Sequence, residues 1–169
     1  MDFTGIPYTR EHQLNLAKKF DCGNSYIGSF LYGTDSLDYG YGSTYVIILD
    51  NMIIGYYNIG TGCLVNENDI RMGGSVYINY FALDKKYHKT KVGNSEKYFS
   101  DLLLYDCLNR IDYIRQNYIG LSFVTLSSSA EGIHLYERNG FMFLDDDMKI
   151  FKNNKEGQCI PMYLPLDLE

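Results

Sequence analysis

The stretch that most limits the possible folds is a long apolar strand followed by a long helix and a second strand. The residues from Ser75 to Leu83 read S-V-Y-I-N-Y-F-A-L, almost continuously apolar, as in a strand covered on both faces. A helix is predicted from about Ser95 to Gln116, and a strand from Leu121 to Leu126. Because a strand–helix–strand crossover joins parallel neighbours, the chain is expected to contain a sheet with a parallel pair.

The residues ahead of this crossover contain two predicted helices. Thr9 is a suitable N-cap for a helix from about Arg10 to Phe20, whose apolar face includes Leu14. A shorter helix is predicted from Ser25 to Tyr32. The Gly-, Ser-, Asp- and Tyr-rich stretch from Gly33 to Ser43 is typical of a loop.

A hairpin is predicted next in the chain. Thr44 to Leu49 and Ile53 to Ile59 are rich in β-branched and aromatic residues, as strands are. Asp50-Asn51 between them has the chemistry of a tight hairpin turn. The small residues Gly60-Thr61-Gly62 are expected to end the second strand.

The last part of the chain completes a mixed α/β pattern. Ser128 or Ser129 is predicted to cap a short helix through Glu137, and Asn139-Gly140 is predicted to end it with a left-handed residue. Further strands are predicted at Phe141 to Leu144, Met148 to Phe151 and Ile160 to Leu164. We therefore expect residues 1–169 to form one domain, with a central mixed β-sheet and helices on both faces.

Composition excludes several classes of protein. The net charge of −6 argues against a nonspecific nucleic-acid coat, which needs clustered Lys and Arg. The four cysteines form no CxxC pair, so neither a zinc site nor a disulfide scaffold is expected, and reduced thiols suggest a cytoplasmic protein. No segment approaches the about 20 apolar residues of a membrane span. The acidic run Asp145-Asp146-Asp147 is typical of a solvated turn, and no metal is predicted.

One loop stands out against the acidic background. Five basic side chains fall between the predicted central strand and the long helix: Lys85, Lys86, His88, Lys89 and Lys91. Such a run is commonly a solvated loop. The alternative is a site for an anionic ligand.

The most specific signal is the segment L-S-F-V-T-L-S-S-S-A-E-G-I-H-L-Y-E-R-N-G-F, from Leu121 to Phe141. A strand, a small-residue turn and a short helix ending in L-Y-E-R-N-G-F resemble the GCN5-related acetyltransferases, whose C-terminal half reads N-x-x-A-x-x-L-Y-E-x-x-G-F. In this sequence Ser129 takes the place of the Asn and Gly132 that of the Ala. The resemblance implies the acyl-CoA N-acyltransferase fold, with a central sheet splayed in the middle.

Other segments extend the resemblance over nearly the whole chain. They are G-Y-Y-N-I at Gly55 to Ile59, F-A-L-D at Phe81 to Asp84 and L-L-L-Y-D-C-L-N-R at Leu102 to Arg110. F-D-C-G-N at Phe20 to Asn24, with Phe30-Leu31, resembles the subgroup that includes the bacterial toxins acetylating the amino group of aminoacyl-tRNA. The implied activity is transfer of an acetyl group from acetyl-CoA to an amine.

The resemblance also assigns roles to residues. Pantetheine is expected to bond the main chain near Phe81, Ala82 and Leu83 like an added strand. The amine attacks the thioester directly in a ternary complex, and Tyr136 of the L-Y-E motif is expected to protonate the departing thiolate. No carboxylate precedes Asp84 on the central strand, so the amine is expected to lose its proton to a water chain or to arrive neutral.

The phosphate loop departs from the family pattern R/Q-x-x-G-x-G/A. Counting forward from Leu83 assigns the loop to His88, Lys89, Thr90, Lys91, Val92 and Gly93, with Lys91 at the place of the first Gly. Counting backward from Leu103-Leu104 places the turn near Ser100. Because the two counts do not meet, the loop or the first helical turn is expected to be lengthened. Ser129 is the remaining predicted cofactor-binding residue.

The acceptor is left open between an aminoacyl-tRNA, a small molecule and a protein amine, and so is a homodimer. A transfer-RNA acceptor needs a basic groove, for which Lys85 to Lys91 with Arg71 and Arg110 are candidates. A small-molecule or protein amine needs only a pocket lined by the tyrosine-rich loop from Gly33 to Ser43 and by Ile59 to Asp69. The altered phosphate loop motivates a second hypothesis, a non-catalytic protein of this fold that binds a CoA-like ligand or a protein partner.

Overall fold

The structure is a computed structural model that describes residues 3–151 and 159–166. Helices and strands alternate along the chain in the order β1 (Ile6–Pro7), α1 (Arg10–Asn15), α2 (Ser25–Phe30), β2 (Ser43–Leu49), β3 (Met52–Asn66), β4 (Arg71–Leu83), α3 (Phe99–Asn117), β5 (Phe123–Ser128), α4 (Ile133–Arg138), β6 (Met142–Phe143), β7 (Met148–Phe151) and β8 (Ile160–Pro165). Single 3-10 turns cover Ala17–Lys19, Asp35–Leu37, Tyr39–Tyr41 and Lys85–Tyr87.

Within the described residues, eight strands form one mixed sheet. The strand order is β1-β2-β3-β4-β5-β8-β6, with β7 paired to β3. β4 and β5 are parallel, whereas β2 pairs antiparallel with β3 and β5 with β8. The predicted mixed α/β fold, with a parallel pair joined through the long helix, is confirmed.

The parallel ladder between β4 and β5 is short. It joins Ser75–Ile78 to Phe123–Leu126, and β4 continues past it as far as Leu83. On its other side β5 stays paired with β8 to its last residue, Ser128, which lies opposite Ile160. The end of the ladder at Ile78 is the feature that a splayed sheet requires.

Contacts between residues divide the chain into two compact units. The first comprises the chain up to Ile59 together with Tyr80–Arg110, and the second comprises Gly60–Asn79 together with the chain from Ile111 onwards. β3 and β4 each pass through both units.

In the first unit, β3 presents alternate residues to different helices. Tyr56 belongs to a buried cluster with residues of the α1 and α2 region, such as Leu16 and Phe30. Its neighbour Gly55 faces α3, because a Cβ there would lie 3.1 Å from Leu103 Cδ2. Since successive side chains of a strand point to opposite faces, helices cover both faces of the sheet in this unit.

The first predicted helix is shorter than expected and buries a different residue. α1 ends at Asn15, and Leu14, assigned to the apolar face, is 66% exposed. Gln13 is buried instead, and its side-chain amide donates to the carbonyls of Leu31 and Gly33. A buried polar group is tolerated when it is hydrogen-bonded, so this glutamine anchors the chain that follows α2. The predicted cap at Thr9 is confirmed.

The predicted hairpin is confirmed, but its second strand does not end at the glycines. Asp50 and Asn51 have φ of 48° and 57°, the positive values that a two-residue hairpin turn needs. β3 continues through Gly62 to Asn66. In the second unit a Cβ at Gly62 would lie 2.7 Å from Ser75 Oγ. The glycine therefore allows a close approach between residues instead of breaking the strand.

Three other predicted boundaries are wrong. The long helix begins at Phe99, four residues later than predicted, because the residues before it form a separate hairpin described below. β5 lies two residues further along the chain than predicted. Neither Ser128 nor Ser129 caps α4, which begins at Ile133 with Gly132 as its N-cap and no capping side chain.

A buried polar network ties β3 to α3 within the first unit. The Tyr57 hydroxyl donates to Asp106 Oδ2 at 2.6 Å and accepts from Arg110 Nε at 2.8 Å. Arg110 also donates to the carbonyl of Gly5, and its guanidinium lies 3.9 Å from the ring centre of Tyr45. Burial raises the pKa of Tyr57, so the phenol stays protonated and keeps donating to the carboxylate.

Replacing Tyr57 with Phe should therefore destabilise the protein. The change leaves Asp106 and Arg110 without their shared partner in a partly buried site, at a cost of about 1–3 kcal/mol in the free energy of unfolding. Urea denaturation monitored by circular dichroism measures this. The control is Tyr39→Phe, at a side chain that is 87% exposed, which should change stability by no more than about 0.5 kcal/mol. Equal stabilities for the two variants would contradict the assigned role of the network.

Candidate functional site

Tyr136 is fixed by the way its helix ends. The main-chain N–H of Phe141 donates to the Tyr136 carbonyl at 3.0 Å, and that of Gly140 donates to the Glu137 carbonyl at 3.1 Å. Gly140 has a φ of +91°. These two bonds and the left-handed residue form a Schellman motif, whose usual apolar contact is made here by the rings of Tyr136 and Phe141, 5.5 Å apart. The predicted left-handed cap is confirmed.

This geometry gives a physical reason for the spacing in L-Y-E-R-N-G-F. The Tyr is the residue whose carbonyl closes the motif, the Gly four positions later supplies the positive φ, and the Phe after it packs on the Tyr ring. Tyr136 is 7% exposed. The motif therefore holds the phenol-bearing residue in one orientation.

The turn between β5 and α4 approaches the same ring. The Ser128 hydroxyl donates to the carbonyl of Ser129 at 2.7 Å, and the Gly132 N–H donates to that carbonyl at 3.0 Å. A Cβ at Gly132 would lie 2.7 Å from Ser128 Oγ and 3.3 Å from Tyr136 Cε2. The structure thus brings Ser129 and Tyr136 together through one tight turn, with the Ser129 side chain exposed.

The other predicted residues lie in the first unit, beginning with the end of β4. Ala82 and Leu83 are buried, and Phe81 is half-buried. His88 Nε2 lies 2.8 Å from the Leu83 carbonyl oxygen, so this nitrogen carries the proton and donates. The exposed His88 side chain, at the position where the family pattern has Arg or Gln, is therefore hydrogen-bonded to the end of β4.

Residues 91–98 form a small hairpin within the segment that the sequence predicts to bind phosphate. Lys91 and Tyr98 are bridged as antiparallel partners, and the Val92 N–H donates to the Lys97 carbonyl at 2.9 Å. At its base the Phe99 N–H donates to the Thr90 carbonyl at 3.1 Å. The hairpin therefore behaves as an insertion, because Thr90 before it is hydrogen-bonded to Phe99 after it, directly ahead of Ser100.

Several main-chain donors of this loop are already used inside the protein. The N–H groups of His88 and Thr90 donate to the carbonyls of Lys85 and Tyr87, in addition to the bonds of Val92 and Phe99. A glycine-rich loop binds phosphate with such donors. At these four positions the N–H groups already donate to carbonyls within the protein. Any attraction of the loop for an anion therefore has to come mainly from its basic side chains.

The lysines of the loop differ in their surroundings. Lys85 pairs with Asp21, whose carboxyl pKa is lowered by the hydrogen bond from the ammonium, and Lys91 pairs with Glu96. Lys89 is exposed and has a φ of +54°. Such a conformation costs a non-glycine residue about 1–2 kcal/mol.

One cluster of aromatic residues had only a weak signal in the sequence. Tyr26 and Phe30 stand four residues apart on α2, which puts them on one helix face. The Phe30 ring stacks on Tyr80 with centroids 4.0 Å apart, and the Tyr80 ring lies 6.3 Å from that of Tyr26. We call Tyr26, Phe30 and Tyr80 the aromatic ridge. The spacing on α2 was visible in the sequence, whereas the contact with β4 was not.

No group of three or more His, Cys, Asp and Glu side chains is arranged to hold a metal ion in residues 3–151 and 159–166. In the same residues, no helix combines the length and the apolar character needed to cross a membrane.

Comparison with known proteins places the fold. Neither a protein-family model nor the sequence of a curated protein matches the chain. Among solved structures, a mutant of the toxin AtaT bound to the C-terminus of the antitoxin AtaR and acetyl-CoA matches with a TM-score of 0.71, at 15% identity over 98% of this chain and 94% of that one. AtaT complexed with acetyl-methionyl-tRNAfMet matches with a TM-score of 0.69, at 14% identity over 97% and 95%.

The PaiA N-acetyltransferase from Thermoplasma acidophilum, solved in complex with coenzyme A, matches with a TM-score of 0.60, at 14% identity over 98% of this chain and 99% of that one. The chain therefore has the acyl-CoA N-acyltransferase fold. Within that class, it has the fold of the GCN5-related N-acetyltransferases and resembles their toxin members, as the sequence predicted.

Replacing Gly140 with Ala should loosen the orientation of Tyr136. An alanine at a φ of +91° is strained by about 1–2 kcal/mol, and the strain falls on the two hydrogen bonds that end α4. We expect a lower melting temperature and, in NMR spectra, altered ring signals of Tyr136 and Phe141. The control is Gly120→Ala, where a Cβ meets nothing within 4 Å and φ is not positive. A Gly140→Ala protein as stable as this control would contradict the motif.

Proposed function

We propose that the protein is an N-acetyltransferase that moves an acetyl group from acetyl-CoA to an amine. The main support is the tightly held Tyr136, at the L-Y-E position of an N-acetyltransferase fold. The short β4–β5 ladder, after which β4 runs on to Leu83, also supports binding of a thioester. The fold is shared with proteins solved with acetyl-CoA or coenzyme A.

The proposed reaction is a direct transfer. The lone pair of the neutral amine attacks the thioester carbonyl carbon, and the C–S bond breaks as the new C–N bond is completed. The Tyr136 phenol gives its proton to the departing thiolate as a general acid. One proton of the attacking nitrogen leaves to water, and the tyrosinate regains a proton from water. Asn79, half-buried on β4, is proposed to be a structural residue and not the base.

The residues proposed to bind the donor belong to the first unit, except for Ser129, which belongs to the second. Pantetheine would bond the main chain of Phe81, Ala82 and Leu83 at the end of β4. The diphosphate would lie at the loop His88, Lys89, Thr90, Lys91, Val92 and Gly93 with Ser100, and Ser129 would contribute a hydrogen bond. Because main-chain donors of the loop are engaged internally, we propose that lysine ammonium groups, Lys89 first, supply most of the attraction for phosphate.

The proposed cellular setting is the cytoplasm. All four cysteines, Cys22, Cys63, Cys107 and Cys159, are free thiols. Disulfides are rare where the compartment is reducing, so free thiols support this location. Aminoacyl-tRNA, a small amine and a protein amine are the acceptor classes to be compared by experiment.

Replacing Tyr136 with Phe should slow turnover without abolishing donor binding. Loss of a general acid lowers kcat by roughly 10²-fold or more, whereas the ring that packs on Phe141 is retained. Stopped-flow measurement of free thiol release gives kcat, and isothermal titration calorimetry gives the acetyl-CoA Kd. The matched control is Tyr113→Phe, on an exposed side chain of α3. An unchanged kcat in Tyr136→Phe would remove the tyrosine from the mechanism.

Acetyl-CoA should also protect the purified protein against heat. A ligand present at 100 times its Kd stabilises the folded state by about 2.7 kcal/mol, which is readily seen as a higher melting temperature. The matched control is free pantetheine, which lacks the phosphates. If acetyl-CoA gives neither thermal protection nor saturable binding, the proposed function fails.

The second candidate function is a non-catalytic protein of the same fold. The internally bonded amides of the lengthened phosphate loop favour it. It predicts saturable binding of CoA with no thiol release from acetyl-CoA for any acceptor, including aminoacyl-tRNA. Tyr136→Phe separates the two candidates, because only the enzyme has a rate to lose.

A further inference from the structure

Asp84 stands at the point where β4 turns into the basic loop. It directly follows Leu83, the last residue proposed to bond pantetheine, and it precedes His88, the first residue proposed to meet the diphosphate. Its side chain is buried, with a residue exposure of 6%. Because a buried carboxylate is costly unless hydrogen bonds satisfy it, the contacts of Asp84 indicate what it contributes.

Both carboxylate oxygens of Asp84 accept hydrogen bonds from the main chain. Oδ1 accepts from the N–H of Lys86 at 3.0 Å and so caps the 3-10 turn Lys85–Tyr87. Oδ2 accepts from the N–H of Asp21 at 3.3 Å, which lies 63 residues earlier in the chain. The side chain therefore caps its own turn and ties that turn to the segment ahead of α2.

The main chain around Asp84 is held as well. Its N–H donates to the carbonyl of Ile54 on β3 at 2.8 Å, and its carbonyl accepts from the N–H of Tyr87 at 2.9 Å. The N–H of Lys85 donates to the Asp21 carbonyl at 2.8 Å, and the Lys85 ammonium lies 2.5 Å from Asp21 Oδ2. These bonds fix the path of the chain as it leaves the sheet.

This path sets the spacing between two parts of the proposed donor site. Residues 81–83 are proposed to bind pantetheine and residues 88–93 the diphosphate, and both groups belong to one acetyl-CoA molecule. The bond from His88 Nε2 to the Leu83 carbonyl spans the turn between them. A preformed turn lets both groups bind together, whereas a turn that has to be ordered first weakens the observed affinity.

The charge of Asp84 acts on phosphate in the opposite direction. A carboxylate that leads into the loop repels an anion, so electrostatics alone predicts tighter donor binding when the charge is removed. The hydrogen bonds predict weaker donor binding when the acceptor oxygens are removed. The two effects differ in sign and can be separated by substitution.

We propose that Asp84 is a positioning residue for the donor. Its carboxylate oxygens hold the turn of residues 83–88 in the form that binds acetyl-CoA, and they act through hydrogen bonds and not through charge. This inference rests on the proposed acetyltransferase function and adds a residue to which the family resemblance assigned no role.

The test measures the Kd of acetyl-CoA by isothermal titration calorimetry for two variants. Asp84→Ala removes both acceptor oxygens and should raise Kd by about 2- to 30-fold, the range expected for loss of a cap. Asp84→Asn keeps an oxygen for the Lys86 N–H and loses the charge, so its Kd should be no more than about twice the wild-type value. Thr9→Ala, which removes the exposed N-cap of α1, is the matched control and should leave Kd unchanged.

A second donor separates positioning of the turn from a general loss of structure. S-acetylpantetheine carries the same thioester and lacks the diphosphate, so it does not need the two parts of the site at a fixed spacing. Asp84→Ala should therefore leave the Kd of S-acetylpantetheine unchanged while it raises that of acetyl-CoA. Equal weakening of both donors would overturn the proposal.

Three further results would also overturn it. They are an Asp84→Ala protein that binds acetyl-CoA as well as Thr9→Ala does, one that binds it more tightly than the wild type, and an Asp84→Asn protein whose Kd exceeds the twofold range. The last result decides the matter even if Asp84→Ala does not fold. In each case wild-type binding of acetyl-CoA leaves the proposed function standing, whereas a wild-type protein that does not bind acetyl-CoA overturns that function and this inference together.

Discussion

The alternation of β3 is the constraint on which the first unit depends. Tyr56 enters the buried cluster formed with α1 and α2, whereas Gly55 and Tyr57 face α3 on the other side of the sheet. At Gly55 the helix comes so close that a Cβ would lie only 3.1 Å from Leu103 Cδ2. At Tyr57 the distance is set by a phenol shared between a carboxylate and a guanidinium. One strand thus fixes the layers on both of its faces, and shifting its register by one residue would exchange them.

The same strand explains why the aromatic ridge adjoins the end of β4. Buried Tyr56 supports Phe30, which supports Tyr80 on β4, and β4 leads without interruption into Phe81 and the basic loop. The stack of rings therefore runs from buried Tyr56 to half-buried Tyr80.

The loop after β4 differs from a glycine-rich phosphate loop in its main-chain hydrogen bonds as well as in its sequence. In a glycine-rich loop, main-chain N–H groups bind phosphate. Here the hairpin of residues 91–98 and the His88 ring use the polar groups nearby, and lysines remain as the source of positive charge. Lys89, in the same loop, has a positive φ of 54°.

The sequence by itself determined the class of fold and the position of Tyr136. Continuous apolar strands, a crossover helix and the L-Y-E-R-N-G-F spacing are local signals, and the Schellman motif that they encode is closed within six residues. The Asp50-Asn51 turn was equally local. Short-range patterns of this kind depend on neighbours along the chain, which a sequence contains in full.

Only the tertiary structure decided the features that depend on distant partners. Gly62 was predicted to end a strand, because the sequence does not show that Ser75 lies close to it. Gln13 is buried because its side-chain amide donates to the carbonyls of Leu31 and Gly33. The hairpin of residues 91–98 and the stacking of α2 on Tyr80 likewise join separate parts of the chain. Pairings of this kind are selected by packing and polar satisfaction in three dimensions, so no local pattern records them.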